Sequence, residues 1–216
     1  MVVGRVVGLV AVALAGVLLV VWRAPLPWAA ACGIDGPGGR ILGGSPDEVR
    51  GAVAESLDGS GDDRVAQALA SGPVLTCRIP PIRATGTPKD LPVGLTPRAA
   101  VLRAEVRATF GDVPDGGFGP EDVLPGRRAG GEHSLGRAID FFYRPHEDPE
   151  QAAAGWRLAN WAVANAQRLG IRTVIYRDRI WTASRSAQGW RDYRFRGPDP
   201  LNPINRHLDH VHLDVA

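Results

Sequence analysis

Strict alternation near the C-terminus, His210-Val211-His212-Leu213-Asp214-Val215, constrains this fold more than any other feature. Strand side chains alternate between faces, so Val211, Leu213 and Val215 are expected in a core while His210, His212 and Asp214 share the opposite face. Two imidazoles and a carboxylate on one rigid face suit a metal ion, although solvent-facing or hydrogen-bonded histidines fit the same pattern. All five histidines lie between 133 and 212, which favours a localised site.

The rest of the chain supplies partners for that strand. Asp148, followed by Pro149 and Gln151 and ended by Gly170, predicts a helix from Asp148 to Leu169 with Ala152, Trp156, Ala159, Val163 and Ala166 packed on a sheet. Thr173–Tyr176 and Ile180–Thr182 read as a hairpin, Ala138–Tyr143 as a strand, and 189–206 as a loop. Thr96 caps a helix over Arg98–Phe110 with an apolar stripe of Ala100, Leu102, Val106 and Phe110. Ser45 caps another through Val49, Val53 and Leu57, and Asp62–Ala70 is a second short helix. Gly33–Gly44 reads as a mobile glycine-rich stretch. The expected class is α+β: a mostly antiparallel sheet with helices on one side.

Val6–Trp22 is an apolar run of 17 residues flanked by Arg5 and Arg23. It spans about 25 Å as a helix. It fits an uncleaved membrane anchor, a cleaved signal with Ala29-Ala30-Ala31 as the processing site, or a lipoprotein leader before Cys32. Each places the remainder outside the cytoplasm, either held at the cell membrane or secreted, where the two cysteines, Cys32 and Cys77, can pair. The expected organisation is 1–32 anchor or signal, 33–77 juxtamembrane helical segment, 78–95 proline-punctuated linker and 96–216 main domain. A net charge of +2 gives no clustered basic face, so no nucleic-acid partner is expected.

His133-Ser134-Leu135-Gly136-Arg137-Ala138-Ile139-Asp140, an HxxGxAxD motif, followed by Asp209-His210-Val211-His212, resembles the LAS group: lysostaphin-type peptidases, D-alanyl-D-alanine metallopeptidases and the hedgehog fold. More narrowly, 170–216, with its Tyr176-Arg177-Asp178-Arg179-Ile180-Trp181 hairpin, is similar to an actinobacterial C-terminal domain family. The resemblance covers about 95–216.

That resemblance implies a zinc ion held by His133, Asp140 and His212, with an open position for water that attacks a carbonyl. It implies a general base at Asp209, as in the carboxypeptidase branch, or at His210, as in the lysostaphin branch. Strand alternation puts His210 on the ligand face unless the backbone bends at Asp209. Arg127 or Arg128 is the candidate oxyanion stabiliser. His207 is a candidate cleft residue or an incidental loop histidine, and His146 is expected at the surface. Trp181 and Trp190 either line a cleft or enter the core. The expected activity is zinc-dependent hydrolysis of peptide or D-amino-acid amide bonds in cell-wall peptidoglycan, with a wall peptide as partner and the membrane contacted by the N-terminal helix. The alternative is a non-catalytic, metal-stabilised wall-binding or assembly module.

Overall fold

The computed structural model describes residues 30–83, 94–118 and 131–216. The Val6–Trp22 run and Arg127 and Arg128 lie outside these residues. Among the described residues no helix is long and apolar enough to cross a membrane.

The chain opens with a hairpin, β1 (Ala31–Gly36) and β2 (Gly39–Gly44), followed by helices α1 (Pro46–Asp58) and α2 (Asp63–Ser71) and strand β3 (Leu75–Arg78). These strands form an antiparallel sheet in the order β2-β1-β3. The glycine-rich stretch expected to be mobile is therefore a paired hairpin. Its backbone ladder holds it, with Ile34 fully buried, and glycine at 33 leaves room for the Arg40 side chain to lie across the strand. Cys32 and Cys77 face each other in the β1–β3 register and form a disulfide. Closing a loop of that length contributes about 4 kcal/mol on the chain-entropy account. Ser45 and Glu48 make the reciprocal capping box of α1.

The second sheet is also antiparallel, in the order β4-β5-β9-β6-β7-β8. Its strands are β4 (Asp115–Gly116), β5 (Ala138–Phe142), β6 (Ile171–Tyr176), β7 (Arg179–Thr182), β8 (Arg191–Asp192) and β9 (His210–Val215). With helices α3 (Pro97–Phe110), α4 (Pro149–Ala164) and α5 (Ala166–Leu169), this is the expected α+β class. The β6–β7 hairpin turns through Arg177 and Asp178, both at positive φ as a type I′ turn requires. On α3 the stripe runs through Ala99, Leu102 and Val106; Ala100, expected inward, is exposed.

Helix α4 departs from a one-faced reading. Almost every residue from Gly155 to Ala164 is buried, because α4 packs on β6 and β9 on one side and on α1, α2 and β3 on the other. Buried side chains from 32–79 and 99–215 accordingly belong to one core. Asn160 joins the two layers: its Oδ1 accepts from Leu75 N at 3.0 Å, and its Nδ2 donates to Leu69 O at 2.9 Å and Gly72 O at 2.8 Å. The helix breaks at Asn165 (φ −94°, ψ 2°), short of Leu169. Trp181 is wholly buried. Trp190 is partly buried against the core; its Nε1 donates to Leu75 O at 2.8 Å and its ring packs edge-on to Trp156.

Candidate metal centre

Neighbouring strands β5 and β9 build the site's floor. Their register sets Asp140 opposite His212 and Phe142 opposite His210. As the alternation predicts, Val211, Leu213 and Val215 enter the core, which leaves His210, His212 and Asp214 on the other face. His133 arrives from the turn before β5. Gly136 closes that turn by donating its N–H to His133 O at 2.9 Å, and its carbonyl accepts from Thr96 N at 2.8 Å. The glycine is needed twice: φ is +62°, and a Cβ would run into the carbonyl of Gly94.

Three donor atoms converge. His133 Nε2 and His212 Nδ1 are 3.1 Å apart, His212 Nδ1 and Asp140 Oδ1 3.0 Å, and His133 Nε2 and Asp140 Oδ1 3.4 Å. Ligand atoms on a tetrahedral zinc ion, at bond lengths near 2.0–2.1 Å, stand roughly 3.3 Å from one another. His133, Asp140 and His212 can therefore hold a metal ion. The tautomers agree. His133 Nδ1–H donates to Gly117 O at 2.7 Å, which leaves the Nε2 lone pair toward the site. His212 presents Nδ1, so its proton belongs on Nε2, which faces Asp214 Oδ2 at 3.9 Å.

Electrostatics favour positive charge here. Burial would raise the Asp140 pKa, but hydrogen bonds to His133 and His212 outweigh it and hold the carboxyl well below its usual range. Burial would lower His212, yet the carboxylates of Asp140 and Asp214 raise it to about 9. A surround that binds a proton this firmly also suits a cation.

His210 stands at the edge of the triad, with its Nε2 3.7 Å from Asp140 Oδ1. Its Nδ1 is 2.7 Å from Asp209 Oδ1. The other Asp209 oxygen accepts from Arg144 Nε at 2.8 Å and Nη2 at 2.7 Å, and the guanidinium lies 4.2 Å over the Phe142 ring. Burial opposes ionisation of Asp209, but His210 and Arg144 together bring its pKa to about 2. The His207 ring lies 4.7 Å from His210 and 5.6 Å from His212, so the loop histidine belongs to the cluster. Burial and then the charges of His212 and His210 lower it to about 3. His146 lies on the rim, 3.2 Å from Glu147, in a groove of about 610 Å³ that also includes Arg144, Pro203, Ile204 and Asp209.

Two supports had little signal in the sequence. Gly117 supplies the carbonyl that orients His133, and it follows directly on β4, which is only two residues long. Asp115 anchors β4 through Arg103 Nε at 2.9 Å and Arg107 Nη2 at 3.2 Å. The Asp115-Gly116-Gly117 run was the only local signal, and it reads equally as a plain turn.

Fold and site together define an antiparallel α+β protein with a candidate two-histidine, one-carboxylate metal centre on its sheet. The VldE C-terminal domain model matches residues 92–204, just over half of the chain. The chain belongs to that family. The matched stretch includes His133 and Asp140 and ends before His207, His210 and His212. No curated protein and no solved structure matches the chain.

Proposed function

We propose that the protein is a zinc-dependent hydrolase acting on peptide or D-amino-acid amide bonds of cell-wall peptidoglycan. The observation that carries this reading is the triangle of His133 Nε2, Asp140 Oδ1 and His212 Nδ1 with an oriented imidazole, His210, at its edge. When bound, zinc supplies Lewis acidity, acidifying water and polarising a carbonyl. His133, Asp140 and His212 would hold it. His210 then acts as general base at Nε2, because Asp209 keeps the proton on Nδ1. Asp209 itself is engaged at both oxygens and acts through His210. His207 flanks both imidazoles. The disulfide and the N-terminal apolar run support an extracytoplasmic location, at the membrane or secreted.

The test uses the whole chain, since residues from β1 to β3 contribute to the core. Metal analysis should return one zinc per chain, and purified peptidoglycan should release peptide products that chelation abolishes. Absence of zinc overturns the reading. Zinc without products, with a folding loss on chelation, favours the non-catalytic metal-stabilised module instead.

A further inference from the structure

We infer that Asp214 is the outer carboxylate of the metal centre, positioning the ring of His212 through its Nε2–H. The inference rests on the reading of His133, Asp140 and His212 as metal ligands.

Asp214 lies on the same strand face as His212 and is only 6% exposed. A buried carboxylate is costly unless charged donors meet it. Two groups approach: His212 Nε2 at 3.9 Å from Oδ2, and Arg172 Nη1 at 4.0 Å from Oδ1. Both separations exceed hydrogen-bond length, and Oδ1 has no hydrogen-bond partner. Arg172 is drawn the other way, with Nη1 3.2 Å from Glu132 Oε1. Glu132 is also held by Arg137 Nε at 2.7 Å. Glu132 directly precedes the ligand His133, and Ala138, two residues before Asp140, pairs with Asp214 across β5 and β9. A charge chain of Glu132, Arg172 and Asp214 thus runs behind the site from one ligand's loop to the other ligand's strand.

The ring geometry gives Asp214 its direction. Nδ1 of His212 faces Asp140 and His133, so the only proton this ring can offer as a ligand is on Nε2, toward Asp214. A cation on Nδ1 makes that N–H a stronger donor and draws the carboxylate into hydrogen-bond range. An outer carboxylate of this kind fixes the ring's orientation and raises its basicity as a ligand. If Asp214 were only a partner of Arg172, its loss would change thermal stability and leave the metal's surroundings alone.

The experiment is a zinc titration of the full chain against a chromogenic chelator, together with the d–d absorption of the Co2+-loaded protein. Asp214→Asn keeps the side-chain shape and should weaken zinc binding about 10- to 100-fold and shift the cobalt bands. Folded Asp214→Asn with wild-type affinity and an unchanged cobalt spectrum overturns the inference. A wild type that binds no zinc overturns the ligand assignment itself, a separate outcome. Should Asp214→Asn fail to fold, NMR of the zinc-loaded wild type decides: a slowly exchanging, strongly downfield His212 Nε2–H proton is expected, and its absence refutes the role.

Discussion

Asp209 Oδ1 lies 2.7 Å from His210 Nδ1, and that contact makes two neighbouring residues a single unit. Asp209 directly precedes β9, which begins at His210, and its carboxylate reaches the ring nitrogen nearer the backbone, Nδ1. The proton is thereby assigned to Nδ1, and the Nε2 lone pair is left on the side of Asp140. Arg144 on the second oxygen keeps the carboxylate in place.

Replacing the two members separately should therefore give unequal losses. On the proposed function His210→Ala removes the general base and should lower kcat for peptidoglycan peptide release about 10²- to 10⁴-fold. Asp209→Asn keeps the ring but frees its tautomer, and the loss should be smaller. Zinc content should be unchanged in both, as measured by metal analysis of the purified variants. Loss of zinc with His210→Ala would make His210 a ligand instead of a base.

The same carboxylate sets an acid limit on stability. Asp209 has a folded pKa of about 2 against an ordinary 3.8, so the unfolded chain takes up its proton first as pH falls. Its stabilisation is complete above the unfolded value and is lost as pH drops from about 4 to about 2. With Arg144 half exposed, the contribution is about 1–2 kcal/mol at neutral pH. Chemical denaturation of wild type and Asp209→Asn across this range should show the two curves converging at the acid end. A constant gap would exclude the linkage.

Much of this site could be read in the chain because its information is local and periodic. Alternation fixed the faces of His210, His212 and Asp214, and the spacing of His133, Gly136 and Asp140 marked a turn entering a strand. The supports were obscure because they depend on long-range register: Gly117 meets His133 across 16 residues. Only the fold shows that the base candidates Asp209 and His210 are hydrogen-bonded to each other. Alternation told their faces apart and gave no rotamers. Nothing local marks Asn160 either, because the backbone groups it satisfies lie 85 to 91 residues away in the α2–β3 segment.

Gly117 offers a direct probe of how His133 is held. Its φ of +86° disfavours any side chain, and a Cβ would stand 2.7 Å from His133 Cε1 and Nδ1 and 3.2 Å from Asp140 Oδ2. Gly117→Ala should cost about 1–3 kcal/mol in strain and displacement and weaken zinc binding. Gly38→Ala, where a Cβ meets nothing within 4 Å, is the control and should change neither. Thermal melts and chelator competition on both variants check this; equal behaviour would mean the β4 turn adapts freely.

Asn160 carries the corresponding prediction for the fold. Its side chain meets one backbone N–H and two carbonyls of the α2–β3 segment, all at 2.8–3.0 Å, in a position with no solvent access. Asn160→Leu keeps the branched shape, is larger and adds apolar surface, so a gain in stability would follow if burial alone mattered. It also strands three polar groups in the core, each costing roughly 1–3 kcal/mol when left unmet. The penalties outweigh the transfer gain of about 2 kcal/mol for a buried leucine. Net destabilisation of about 2–4 kcal/mol is expected in urea unfolding. Hydrogen exchange should rise first at Leu75 N, the amide that loses its acceptor. Unchanged protection at Leu75 would mean that the helix α4 side chain is not what pins β3.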